Sequence, residues 1–234
     1  MNALVLGGSG SIGSAIVERL LQDGYKVFVQ YYQSNIEELR NKYHEQDVEF
    51  IQADLTQNID LNETFGQIQH LDCLVYSTGT ALYGMLQDMT DEDIDHSYNI
   101  HVKQFIRCSR YFLDILRQSK HGRIIVISSI WGETGASMET IYSAMKSAQI
   151  GFVKALSQEL AMTTVTVNAV TPGFVSGNMS QAFNEEDKMA IVSELPQQRM
   201  ISPAEVAHTC AYLWHPMSQS ITGTVQKVNG AWYL

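Results

Sequence analysis

Tyr142 and Lys146 stand four residues apart in Thr140–Leu160, a stretch whose apolar spacing predicts a helix. An i,i+4 pair shares one helix face, with Cβ atoms roughly 5–6 Å apart. A phenol titrates near 10 and an ammonium near 10.4, and an adjacent cation favours the phenolate. Bringing the tyrosine to about 7 takes about 4 kcal/mol of differential stabilisation. Such a pair can exchange a proton with an oxygen passing between alcohol and carbonyl. Surface helices carry Tyr-x-x-x-Lys by chance, so the pair alone is weak evidence. Ser129 strengthens it. It directly follows the apolar run Arg123–Ser128, 13 residues before Tyr142, and its hydroxyl can bond the oxygen that the tyrosine protonates. Asn99 falls in the middle of a helical pattern over 90–117. Asn is a poor helix-interior residue, and holding a water against the lysine would be a functional reason for it.

A second chemistry-bearing pattern is Gly7-Gly8-Ser9-Gly10-Ser11-Ile12-Gly13. Glycines let backbone N–H groups approach a ligand closely, and a helix N-terminus behind them suits a pyrophosphate. A tight turn with no ligand is the plainer reading. The apolar run Ala3–Leu6 before it and Ile12, Ile16 and Leu20 at helical spacing after it favour a dinucleotide. The ribose 2′-position is read at the end of the second strand, where Asp or Glu marks NAD. Val27-Phe28-Val29-Gln30-Tyr31-Tyr32-Gln33-Ser34 offers no acid before Glu37. NADP(H) is therefore expected over NAD(H). With no Arg or Lys in the stretch, Ser34 and backbone amides would hold the 2′-phosphate.

The elements that must position these groups alternate. Strand candidates are Ala3–Leu6, Val27–Tyr31, Val48–Ala53, Cys73–Ser77, Arg123–Ser128, Val165–Val170 and Val225–Val228. Helical patterns lie near 37–43, 60–69, 90–117, 140–162 and 203–213. Strands this apolar suit a parallel sheet covered on both faces. The expected fold is α/β, a doubly wound three-layer sandwich with about seven strands and its ligand crevice at their carboxyl ends. No repeat or linker divides the 234 residues, so a single domain is expected. The Met-rich segment at 179–200 reads as a substrate lid, or as a plain surface hairpin.

Fifteen Lys and Arg against 25 Asp and Glu leave a net charge of −10. That field repels phosphate backbones and anionic membrane surfaces, so neither is an expected partner. The N-terminus lacks a signal peptide's basic and apolar regions. Three well-separated cysteines, Cys73, Cys108 and Cys210, fit a reducing, cytoplasmic setting. The seven histidines show no paired ligand spacing, so no metal is expected.

The glycine turn, Asn99, Ser129, Tyr142-x-x-x-Lys146 and Pro172-Gly173 occur in the order and spacing of the short-chain dehydrogenase/reductase family, and the chain is identified as resembling it over nearly its whole length. The resemblance implies a Rossmann-type fold and hydride transfer between a nicotinamide and a carbonyl or alcohol. Tyr142 would be the acid/base, Ser129 would polarise the carbonyl, Lys146 would lower the tyrosine's pKa and bind ribose, and Asn99 would complete a proton relay. Cofactor contacts would come from Gly7, Ser9, Gly10, Ser11, Ile12, Gly13 and Tyr31, from Asp54 and Leu55 at the adenine, and from Ser77, Thr78 and Gly79. Beyond Pro172 and Gly173, Val175 or Ser176 would anchor the carboxamide. Ser11 stands where the pattern has a glycine, and Ser176-Gly177 where it has a threonine. Family tetramers pair the long helices, so a homotetramer or homodimer is implied.

Within the family the chain resembles 3-oxoacyl-[acyl-carrier-protein] reductases, and a carrier protein is strongly acidic. The net charge of −10 argues against that partner. The pattern Ser128-Ser129-Ile130-Trp131-Gly132, followed by Gly135-Ala136-Ser137-Met138-Glu139, is similar to the elongation factor P 5-aminopentanone reductases of Gram-positive bacteria. Their ketone sits on a modified lysine that ends in an amine. Glu139, three before Tyr142, could pair with that ammonium, or it could simply complement the helix dipole. Trp131 and Met179 join it as expected substrate contacts. A non-catalytic dinucleotide-binding regulator is the competing class, and it has no need of Ser129, Tyr142 and Lys146 together.

Overall fold

Asn2–Leu6 forms strand β1, with Ala3 to Leu6 wholly buried. Gly7 then turns the chain at φ +77°, and Ser11–Gln22 (α1) packs back along the sheet through Ile16, Val17 and Leu20. The computed structural model, which describes residues 1–233, repeats that unit along the chain. The further strands are Lys26–Tyr31 (β2), Val48–Gln52 (β3), Cys73–Tyr76 (β4), Arg123–Ile127 (β5), Thr166–Pro172 (β6) and Val225–Val228 (β7). All pair in parallel, in the order β3-β2-β1-β4-β5-β6-β7. The winding reverses between β1 and β4, which places the ligand crevice at their carboxyl ends.

Side-chain alternation assigns the two faces. Leu4, Leu6, Leu74, Tyr76, Ile124 and Val126 build one core with Phe105, Phe112 and Val153. Val5, Val27, Val75, Ile125 and Ile127 build the other with Ile16, Val17, Val206 and Trp214. Both faces are dry, as the near-continuous apolar strands require.

The helices are Ile36–Lys42 (α2), Leu61–Phe65 (α3), Asp91–Tyr98 (α4), Gln104–Gln118 (α5), Trp131–Thr134 (α6), Thr140–Glu159 (α7), Glu185–Glu194 (α8) and Pro203–Trp214 (α9). Two differ from the sequence expectation. The pattern over 60–69 yields only the single turn of α3. The pattern over 90–117 is broken at Asn99–Lys103 by a π-turn. One extra residue per turn there displaces the carbonyls of Ile100 and His101, which accept from the Tyr76 hydroxyl and from Gln149 Nε2. The short α6 was not foreseen. It packs so closely on α7 that a Cβ at Gly132 would fall 2.8 Å from the Lys146 carbonyl carbon. α8, in the expected lid, buries none of its side chains. No described helix is long and apolar enough to cross a membrane.

Candidate active site

The glycine turn is braced from beneath. Gln30, buried on β2, accepts from the Gly7 amide at 2.8 Å and donates to the Ala53 carbonyl at 2.7 Å. Its signal in the sequence was a lone polar residue in an apolar strand, and its role was missed. The Ser77 hydroxyl donates to the Leu6 carbonyl at 2.9 Å. Gly13 lies so close to Gly7 that a Cβ there would stand 2.1 Å from the Gly7 carbonyl oxygen. Above this brace, Gly10 precedes α1 with no side-chain cap, and a Cβ on it would meet only the Gly7 oxygen, at 3.4 Å. As the first amides of α1, those of Ser11, Ile12 and Gly13 have no carbonyl within the helix to donate to, and they stand at its positive end behind the space at Gly10. Thr78 Oγ1, packed against Gly7, is buried without a partner among the described residues. An open cradle of amides beside an orphaned hydroxyl fits the pyrophosphate of a dinucleotide.

Tyr31 packs edge-on to Phe50, and Leu55 is buried in the core. One Asp54 oxygen is taken by Thr56. Beyond β2, Tyr32, Gln33 and Ser34 are exposed, and no carboxylate lies before Glu37, which Arg40 engages at 2.9 Å.

At the end of β5, Ser129 sits against α7, its hydroxyl oxygen accepting from the Trp131 amide at 3.2 Å. Tyr142 and Lys146 share one face of α7, with Lys146 Nζ 5.6 Å from the centre of the Tyr142 ring. Burial pushes the Tyr142 phenol up to about 12, with the neighbouring Ser129 hydroxyl lowering it and the Glu139 charge raising it. Lys146 Nζ donates to the Ile127 carbonyl at 2.9 Å, and burial pulls the ammonium down to about 7. The i,i+4 spacing predicts that Lys146 lowers the phenol's pKa, with the cofactor's positive nicotinamide adding to it. In the free protein burial outweighs it, and the phenol stays protonated.

Asn99 opens the π-turn, half-buried at the end of α4. Two residues on lies a group that the sequence reading passed over. His101 is fully buried, its ring edge-on to Tyr142 at 5.4 Å between centroids. Nothing in a single apolar-patterned helix marks it out.

Past Pro172 and Gly173, the Ser176 amide donates to the Ile201 carbonyl at 2.9 Å, and Val175 bridges to Ile201. Gly177 then rests on the α1 N-terminus, where a Cβ would fall 2.4 Å from Ser11 Oγ, and that oxygen accepts from the Asn178 amide at 2.9 Å. Met179 stands exposed at the start of the following single 3₁₀ turn. Glu139 is not helical: it is the N-cap of α7, after Met138 at φ +66°. Burial raises the Glu139 carboxyl, and the Trp131 indole opposes that. Trp131 packs on Trp232 at 5.1 Å and on Tyr233 at 5.6 Å between centroids. These two residues lie a hundred positions away in sequence and left no trace in its local pattern. Leu82, Leu86, Met89, Met138 and Ile141 line an apolar crevice at the start of α7.

A family model described as Enoyl-(Acyl carrier protein) reductase matches residues 7–231. An uncharacterized oxidoreductase, YmfI, of Bacillus subtilis is 36% identical over 99% of this chain and 98% of its own. The 3-oxoacyl-[acyl-carrier-protein] reductase FabG of Rickettsia bellii is 34% identical over 97% and 95%. A solved structure, ElxO with NADP bound, superposes with a TM-score of 0.91 at 26% identity, covering 99% of this chain and 98% of that one.

Proposed function

The chain belongs to the short-chain dehydrogenase/reductase family, and from that premise we propose an NADP(H)-dependent reductase whose ketone carries an amine, with the 5-aminopentanone group on modified elongation factor P as its substrate. The open amide cradle of α1, and a β2 end without a carboxylate to repel a 2′-phosphate, support the cofactor. ElxO, the structural neighbour, binds NADP. NADPH should therefore bind more tightly than NADH in a fluorescence titration.

Gly10 to Gly13, Thr78 and Lys146 would hold the cofactor, which supplies a hydride when bound. The chain does the rest. The Ser129 hydroxyl donates to the ketone oxygen and fixes it beside Tyr142. The Tyr142 phenol, kept protonated by burial, delivers its proton to that oxygen as negative charge develops there. Lys146, when protonated, offsets the charge left on the phenolate. The segment from Gly177 rests on Ser11 at the edge of the cradle.

One observation carries the amine: the half-buried Glu139 carboxylate, close enough to raise the Tyr142 pKa, stands beside the Trp131 indole. An ammonium there would gain an ion pair and an aromatic face. A neutral 3-oxoacyl thioester would gain nothing from Glu139, and an acidic carrier meets a chain of net charge −10. The names of the FabG relatives favour that second reading nonetheless. Turnover on acetoacetyl thioester and on 5-aminopentanone-modified elongation factor P decides between them. Glu139→Gln should lower kcat/KM for the amino-ketone about tenfold, the scale of one charge-assisted hydrogen bond, and leave a neutral ketone unchanged. Equal losses on both remove the ammonium site.

A further inference from the structure

The site contains one buried nitrogen that the mechanism above does not use. His101 Nε2 lies 3.0 Å from the Thr80 carbonyl oxygen, whereas His101 Nδ1 is buried with no partner among the described residues. Nδ1 lies on the same side of Gly79 as the Lys146 ammonium. A Cβ built on Gly79 would stand 3.1 Å from His101 Nδ1 and 3.6 Å from Lys146 Nζ, so both nitrogens border the same point. Gly79 is what permits this approach, because that Cβ would fall 2.6 Å from His101 Cε1.

The Thr80 amide also lies 3.4 Å from His101 Nε2, but the shorter 3.0 Å contact to the Thr80 carbonyl oxygen favours the proton on Nε2. With the proton on Nε2, the ring donates to Thr80 and turns an acceptor lone pair toward the lysine. With the proton on Nδ1, an N–H would face the ammonium and the Thr80 carbonyl would lose its donor. The π-turn holds this orientation: Tyr76 pins the Ile100 carbonyl, Gln149 pins that of His101, and the ring lies edge-on to Tyr142. π-turns of this kind collect at functional positions.

We propose that His101 is a positioning residue for Lys146: its neutral Nδ1 accepts from the ammonium through one bridging water, keeping the lysine charged and aimed at the ribose and the Tyr142 oxygen. Among the described residues Lys146 has no carboxylate partner, and its ammonium hydrogen-bonds to the Ile127 carbonyl. A second acceptor therefore bears directly on whether it holds its proton in a buried setting. The groups facing the pair are Tyr142 on α7, His96 on α4 and Thr80, which lines a cleft with Glu92 and Asp93. Burial, then the charges of Lys146 and His96, hold the His101 imidazole down to about 3, so it is neutral at every working pH. The proposal rests on the reductase reading only for the ribose; the Lys146 contact exists without it.

Three variants separate the two nitrogens. An Asn carboxamide reaches the place of Nδ1, a Gln carboxamide reaches that of Nε2, and Leu replaces neither. The measurement is the ¹⁵Nζ titration of Lys146 in the cofactor-free protein, with the pH midpoint of kcat/KM alongside. His101→Asn should keep the Lys146 midpoint. His101→Gln and His101→Leu should lower it by about one pH unit, roughly tenfold in the ionisation constant. If Gln holds the midpoint and Asn loses it, the residue serves Thr80 and the proposal falls. It falls equally if all three keep the wild-type midpoint, or if all three shift together with a drop in melting temperature. Loss of turnover in variants whose Lys146 titration is unchanged would show that His101 acts by another route, and the proposal falls; a wild-type protein with no turnover on any carbonyl would count against the reductase reading instead.

Discussion

Tyr142→Phe lowers kcat for ketone reduction by roughly 10²–10⁴-fold, the usual contribution of a positioned general acid, and leaves NADPH binding unchanged by fluorescence titration. The socket explains why the fold should tolerate the change. The Tyr142 ring is 8% exposed and packs edge-on to His101, and Phe fills the same volume. What disappears is one hydroxyl beside Ser129. The neighbouring carboxylate is Glu139, and its effect on Tyr142 is to hold the proton more firmly. A variant retaining more than about a tenth of wild-type kcat would remove Tyr142 from the chemistry. The same pair of measurements separates enzyme from regulator. A binding-only protein shows cofactor affinity and no carbonyl turnover before or after the substitution.

The parts of the site that could be read in the sequence are those carried by one element. Tyr142 and Lys146 share a helix face by spacing alone, and the glycine turn announces itself between an apolar run and a helical one. The strands lie within about two residues of the sequence expectation, and the inner ones β1, β4 and β5 are the plainest, because strands buried on both faces are near-continuous apolar runs. What was not legible depends on packing between distant elements. Ser11 and Gly177 looked like two separate departures from the family pattern. They are one feature, since the Ser11 hydroxyl occupies the space that a side chain at 177 would need, and Asn178 bonds it. Trp232 and Tyr233 reach Trp131 only through the last turn of the fold. The π-turn at Asn99 has no residue signature, because it is fixed by Tyr76 and Gln149 from β4 and α7. Lys146 shows a limit of another kind. Spacing put it near Tyr142, but its ionisation is set by burial, which spacing does not report.

Acid lability should be the protein's clearest stability signature, and His101 its source. The imidazole is neutral in the folded state down to about pH 3, whereas in the unfolded chain it takes up a proton near 6.5. Between those values the unfolded state binds one more proton, so stability rises with pH across the window and is lost on acidification. One proton per pH unit is about 1.4 kcal/mol. The loss from pH 6.5 to 5 is therefore roughly 2 kcal/mol, and it reaches about 4–5 kcal/mol near pH 3. Against a total of about 5–15 kcal/mol, that is enough to unfold a marginal domain. Lys146 carries the same sign in a different window. Its folded value of about 7 against 10.5 unfolded makes stability climb from neutral to alkaline pH. Tyr142, raised to about 12, reverses the trend above pH 10. Glu205, held down to about 2 by Arg199 and the Ser202 amide, loses its contribution only below pH 4.5, and it is too exposed to weigh much. Between pH 6.5 and 5 the loss from His101 dominates, opposed by Glu139, whose carboxyl is raised by burial from 4.5 so that the folded state takes up its proton first. Thermal melts of the cofactor-free protein should therefore fall by roughly 5 °C over that interval, and those of His101→Leu should not fall. A His101→Leu protein that keeps the wild-type slope would place the acid-sensitive group elsewhere in the fold.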